Sequence, residues 1–297
     1  MKKWLRRGAV TATTMVAVAG AAFVTLAELG DRKLRRQVEV AVAPVAMKSD
    51  AASVERGRYL FASRGCGDCH GSGGQGSVVV DDGGMFVRSP DIGSSPQAVV
   101  ARYSDADWVR TIRHGIKPDG RPVMVMPSEE YNRLVDADVA AIVAYARQLP
   151  AASGATAELR LPMLVKALYA VGVVRDASEK IDHTLPPSQP VAEGVTAAHG
   201  AYVANGCIGC HGSRLEGGKI PGAPPSWPDA AKLNPGPGSA LERYPSAEPF
   251  LAMLKTGKRP DGSEVSKVMP FVSLKELSDV DARALYLHLR SLPASGS

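Results

Sequence analysis

Gly65-Cys66-Gly67-Asp68-Cys69-His70-Gly71 recurs as Gly206-Cys207-Ile208-Gly209-Cys210-His211-Gly212 at an offset of 141. Three more landmarks repeat in the same order. Pro118-Asp119-Gly120 returns as Pro260-Asp261-Gly262 at an offset of 142, and Met126-Pro127 as Met269-Pro270 and Leu149-Pro150 as Leu292-Pro293 at 143. Landmarks in one order at a near-constant offset mean a duplicated unit. The 297 residues then divide into two copies, 50–150 and 192–297, joined by a linker, 151–191, and preceded by a distinct N-terminal segment, 1–36.

Each copy reads as mainly helical. In the first, Ser53 is placed to cap a helix running to Arg64, and Asp136 leads into Val139, Ile142, Val143 and Ala146, a three-and-four spacing that makes one apolar face. In the second, Thr196 is the matching cap, and Ser278 with Asp281 forms a capping-box-like pair before Ala282, Leu285, Tyr286 and Leu289. The Gly/Pro-rich stretches 71–98 and 212–249 read as loops. In the linker, Leu161 to Val174 is apolar apart from Lys166 and too short to cross a bilayer, so a helix packed on a domain is expected there. The proline-rich segment from His183 to Val191 is expected to be extended.

Cys-x-x-Cys-His is the spacing at which two thiols add across both vinyl groups of one haem while the adjacent His lies beneath the iron. A zinc site would gather four ligands from paired motifs, yet these two stand in separate units. A thioredoxin-like pair would follow a strand in a βαβ unit, and no such pattern precedes either motif. Both motifs therefore read as haem c attachment sites: Cys66 and Cys69 with His70 as axial ligand, Cys207 and Cys210 with His211. All four cysteines of the chain are then used in thioethers.

For the second axial position each copy offers one Met followed by Pro. Met126 and Met269 stand at nearly the same distance beyond His70 and His211 respectively. Proline holds the preceding residue extended, which suits a segment crossing a haem face, and His/Met ligation gives a saturated iron of raised potential. Met124 is the rival in the first copy, ahead of Met85; Met253 sits in an apolar helix-like run and reads as core. His114 aligns with Thr256, outside the repeated set, and His183, His199 and His288 read as surface or helix-face residues.

The sequence pI near 9.0 would fit nucleic-acid binding. Residues 1–36, however, carry eight Lys/Arg against Glu28 and Asp31, a net of +6, whereas the whole chain is +5. The body is almost neutral, which leaves no nucleic-acid footprint. Within that basic segment Gly8 to Ala27 is an uncharged run; at about 1.5 Å per residue it spans roughly 30 Å, the hydrocarbon thickness of a bilayer. It reads as a transmembrane anchor. Ala19-Gly20-Ala21 is the alternative, a cleavage site of a secretory signal. Haem c is attached on the outer face of the energy-transducing membrane, so the expected topology is N-terminus inside, at the bacterial inner membrane, with both haem domains in the periplasm.

With these residues in place the chain resembles the class I c-type cytochromes, in particular membrane-anchored dihaem members of bacterial respiratory chains. The resemblance rests on the two Cys-x-x-Cys-His motifs, Met126-Pro127, Met269-Pro270 and the closing helix of each copy. Trp108-Val109-Arg110-Thr111-Ile112-Arg113-His114-Gly115 and Gly120-Arg121-Pro122 are similar to the cytochrome subunits of periplasmic alcohol and gluconate dehydrogenases, which usually carry three haem motifs where this chain has two. The fold implied is all-α: two tandem helical domains, each wrapped around one covalent haem, behind one transmembrane helix. The function implied is electron transfer without catalysis, between periplasmic or membrane-bound redox partners such as a dehydrogenase, a quinol-oxidising complex or a terminal oxidase. The alternatives are a dihaem peroxidase-like enzyme, and a haem subunit of a larger dehydrogenase or oxidase complex. Only 16 of the 297 residues are Phe, Trp or Tyr, which suits cores completed by a macrocycle.

Overall fold

The computed structural model describes residues 2–152, 155–186, 188–223 and 226–294. Helix α1 (Lys2–Leu34) absorbs the whole basic-flanked apolar run, and as far as Thr25 it projects from the body with its described side chains exposed. Residues 35–49 then run extended along the first domain: the Val38 amide donates to Gly120 O at 2.8 Å, and Val42, Val45 and Met47 join the first core.

In domain 1, α2 (Ala51–Ser63) is capped not by Ser53, as expected, but by Asp50, whose carboxylate accepts from the Ser53 amide. Asp and Ser are equally good caps, and the residue with extended backbone takes the role. The motif itself forms α3 (Cys66–His70). After it come α4 (Asp105–His114), opened by a Ser104–Asp107 capping box, α5 (Ser128–Tyr131) and α6 (Asp136–Ala146). Domain 2 repeats the plan with α8 (Ala197–Ala204), capped by Thr196, then α9 (Ile208–His211), α10 (Ala247–Thr256), α11 (Phe271–Leu274) and α12 (Asp279–Ser291), where Ser278 caps the Asp281 amide.

In each domain the first and last long helices cross at a glycine. A Cβ on Gly57 would collide with Ala141 O, and one on Gly200 would collide with Ala284 O. With no side chain at the crossing the backbones touch. Above each crossing sits one core: Leu60, Phe61, Trp108, Val139 and Val143 in domain 1, and Val203, Leu241, Phe250, Leu254 and Leu285 in domain 2.

The fold is mainly helical, as expected, with one departure. The stretch read as loop after the first motif contains a hairpin, β1 (Val78–Asp82) and β2 (Met85–Arg88), turning on Gly83-Gly84 with φ of 55° and 79°. Two positive-φ residues between Val-rich arms make the turn that right-twisted strands require. The linker supplies the third strand, β3 (Glu158–Arg160), antiparallel to β2 with Phe86 opposite Arg160. The linker helix α7 (Met163–Ala170) packs on the end of α1. Pro187, inside the segment expected to be extended, lies outside the described residues.

Candidate functional site

The two motifs build the same local structure. In each, a short helix ends at the His and its ring is held by a backbone carbonyl further along the chain: His70 Nδ1 lies 3.0 Å from Pro90 O, and His211 Nδ1 lies 2.7 Å from Ala231 O. The carbonyl accepts, so Nδ1 carries the proton and Nε2 presents a free lone pair, the arrangement usual for a metal-ligating imidazole. Burial lowers the pKa of both rings, against the pull of those bonds, which favours the neutral form a ligand must have. None of the four cysteines is in a disulfide. Burial pushes the Cys66 and Cys207 thiols up to about 12. Cys66 and Met126 border the first core, and Cys207 and Met269 the second, so each motif and its Met-Pro segment face one interior.

These residues fit haem c. Each motif supplies two reduced thiols and one Nε2 with its tautomer fixed, and its first thiol borders the same core as one thioether. Among the described residues no three His, Cys, Asp or Glu side chains gather to hold a bare metal ion. Met253 is buried in α10, as expected of a core residue, and Met85 lies in β2.

The loop leading to each Met is also duplicated. The Val123 amide donates to Gly115 O at 2.7 Å and the Val265 amide to Gly257 O at 2.8 Å, while Lys117 and Arg259 close the matching turns on Arg121 O and Ser263 O. Ile116–Pro122 and Lys258–Glu264 are the corresponding bridges.

One sequence expectation about a histidine needs correction. His199 is not a surface residue: it is 2% exposed and its Nε2 lies 2.7 Å from Asp281 Oδ1, because the Gly200 crossing brings α8 directly onto α12. His183 is half-buried, and its Nδ1 lies 3.0 Å from Nδ1 of His114, which is itself buried. Both partners come from distant sequence, so neither pairing had a local signal.

The two domains meet across a pseudo-twofold interface that the sequence reading missed. Tyr59 of domain 1 donates to Asp281 Oδ2 at 2.7 Å and accepts from the Ser278 amide at 3.1 Å. Tyr202, its equivalent in the second copy, donates to Asp138 Oδ2 at 2.7 Å and accepts from the Val135 amide at 3.2 Å. Asp138 is held from its own domain by Arg56, and Asp281 by His199, with Arg64 reaching across to Asp281 at 2.8 Å. The helix after each Met-Pro packs on the motif of the other domain, α5 on α9 and α11 on α3. A Cβ on Gly209 would collide with Glu130 Oε1, and one on Gly65 would lie 3.7 Å from Ser273 Oγ. The equal offset of Tyr59 to Tyr202 and Asp138 to Asp281 was the available signal.

Residues 52–145 match the family described as cytochrome C oxidase, cbb3-type, subunit III, and residues 195–293 the family described as cytochrome c. The chain is a dihaem c-type cytochrome. Two cytochrome c domains carry two covalent haem c groups, and the dihaem cytochrome is an electron-transfer protein. It is 27% identical over 283 residues to the fructose dehydrogenase cytochrome subunit of Gluconobacter japonicus, covering 84% of this chain and 55% of that protein. It is 26% identical over 282 residues to the cytochrome c subunit of alcohol dehydrogenase (quinone) of Gluconobacter oxydans, covering 84% and 56%. The corresponding protein of Gluconacetobacter polyoxogenes is 28% identical over 278 residues, covering 82% of this chain and 57% of that one. The cytochrome thus spans about half the length of these relatives.

Proposed function

We propose that Cys66, Cys69, His70 and Met126 hold one haem c and Cys207, Cys210, His211 and Met269 the other, and that the chain passes electrons between them. When bound, each haem supplies a one-electron Fe(III)/Fe(II) couple. The cysteines would fix the macrocycle in each domain, the carbonyls of Pro90 and Ala231 orient the rings of His70 and His211, and the methionines would supply the second iron ligand. With His and Met both serving as ligands, each iron would have no position left for substrate, which supports a carrier and not an enzyme. The observation that carries the reading is the duplicated His–carbonyl pair beside a Met-Pro segment on one core.

The interface supports electron exchange inside the chain, since α5 and α11 join the Met segment of each domain to the attachment helix of the other. Domain boundaries at 50–150 and 192–297 follow from the same repeat. Helix α1 contains a segment, Arg6–Leu34, long and apolar enough to cross a membrane; we read it as an anchor in the bacterial inner membrane, with both haem domains in the periplasm. The relatives named as dehydrogenase cytochrome subunits support a dehydrogenase as electron donor. The match of domain 1 to cbb3-type subunit III favours a second reading, a terminal-oxidase subunit; copurification with a haem–copper oxidase would select it.

The test of the ligand set is spectroscopic. The oxidised protein shows the weak Fe(III)–Met charge-transfer band, and Met126→Ala and Met269→Ala each remove about half of it. If neither change alters the band, the axial assignments are wrong.

A further inference from the structure

We propose that the outward face of α7 seats in the lipid headgroup layer beside α1, so that domain 1 is mounted against the bilayer instead of swinging from a tether. This rests on the anchor reading above. The inner face of α7 is locked to α1. A Cβ on Gly30 would collide with Lys166 O, so the helices touch there. Lys33 donates to Tyr169 O at 2.9 Å and Lys166 pairs with Asp31 at 2.9 Å. Arg36 donates to Tyr169 Oη at 2.6 Å and pairs at 2.7 Å with Asp176, which has no exposed surface. Contacts of Gly30 with Lys166 and of Lys33 with Tyr169 mean that the two helices run side by side in one direction.

The outer face is apolar where a surface helix should be polar. Met163 and Leu164 open that face, 46% and 59% exposed, with Leu168 one turn on; Val171, at i+7 from Leu164 and 56% exposed, and Val173 continue it past the end of α7, beyond the depth at issue. A contiguous exposed apolar patch marks a contact surface. Its height decides what covers it. If Lys166 is level with Gly30, then Met163 is level with Ala27, the last residue of the uncharged run. The headgroup layer extends roughly 5–8 Å beyond the hydrocarbon, about four or five residues of α1 at about 1.5 Å each. The N-terminal half of α7 therefore stands inside that layer, the depth at which amphipathic interfacial helices bury their apolar faces. Arg32 and Arg35 at the end of α1 and Arg175 just after α7 are exposed and suit anionic headgroups, outnumbering the exposed Glu28 of α1. The hairpin tip after Asp81 and Asp82 lies against Pro162 and keeps the seat shallow. Since β3, α7 and residues 35–49 all belong with domain 1, that domain is the membrane-proximal one.

The test uses the full-length holoprotein with Leu164→Cys or, as reference in domain 2, Val272→Cys, each carrying a nitroxide. The protein is placed in phosphatidylcholine/phosphatidylglycerol vesicles, and relaxation by oxygen is compared with relaxation by a water-soluble nickel chelate. The expected result is that oxygen outweighs nickel at Leu164 and nickel outweighs oxygen at Val272. If the protein floats with the vesicles but nickel reaches Leu164 as freely as Val272, the anchor stands and the proposal fails. A label at Leu164 shielded from both reagents means that protein, not lipid, covers the face, and also overturns it. Failure to float removes the anchor reading and the mount with it.

Discussion

Asp281 is the most consequential single side chain between the domains, and Asp281→Asn tests the interface directly. Its carboxylate has no exposed surface and accepts from Tyr59, Arg64 and His199 at 2.7–2.8 Å. Arg64 is itself only 7% exposed in its side chain. Asparagine offers one acceptor oxygen and no charge, so a buried guanidinium loses its counter-ion. Breaking a buried pair from one side costs about 3–5 kcal/mol, which for a protein of this size lowers the melting temperature by roughly 6–20 °C. Asp279→Asn is the control: its 2.6 Å pair with Lys255 is about half exposed on both sides, and such pairs contribute about 0–1 kcal/mol. Burial pushes the Asp281 pKa up, but the Arg64 charge and the three hydrogen bonds more than reverse this, leaving it below 3.8. A folded-state pKa below the unfolded one means the contribution is complete above pH 3.8 and disappears as pH falls through the folded value. Thermal unfolding by circular dichroism, at pH 7 and again below pH 4, should therefore show a large gap between wild type and Asp281→Asn that closes in acid. If Asp281→Asn and Asp279→Asn melt within a degree or two of each other at pH 7, the reasoning fails.

Gly200→Ala should cost about 1–3 kcal/mol by overpacking the α8–α12 crossing, and Gly57→Ala the same at α2–α6; denaturant midpoints measure both, and wild-type midpoints would show that the helices can part freely. Burial first, and then the Glu129 charge, push the Glu130 pKa up to about 8. Its neutral form is favoured in the fold, so stability declines as pH rises from about 4.5 towards 8, and Glu130→Gln should flatten that slope in urea titrations across the range. Acidified organic solvent should extract no haem from the wild type, because thioethers hold it; free haem in the solvent layer would contradict covalent attachment.

The repeat, the two attachment motifs, the Met-Pro pairs and the apolar N-terminal run were all legible in the sequence, because each is a local pattern imposed by chemistry at fixed spacing. Two thiols must span one macrocycle edge, and an uncharged run of this length matches the thickness of a bilayer. The closing helices were legible for the same reason, since Val139, Ile142 and Val143 follow a helical period. The β-hairpin could have been read from Val78-Val79-Val80 and Gly83-Gly84, but the surrounding glycines drew the reading towards loop. The rest belongs to the tertiary structure. The carbonyls of Pro90 and Ala231 orient His70 and His211 through the path of the backbone, which no side-chain pattern records. His199 with Asp281, His114 with His183, and the crossed tyrosines Tyr59 and Tyr202 with Asp281 and Asp138 join positions far apart in the chain. Such pairs exist only once the helices have crossed at Gly57 and Gly200 and the copies have met face to face. Sequence alone determined two haem domains behind a membrane-length helix; the packing decided that they face each other across one shared, charge-locked interface.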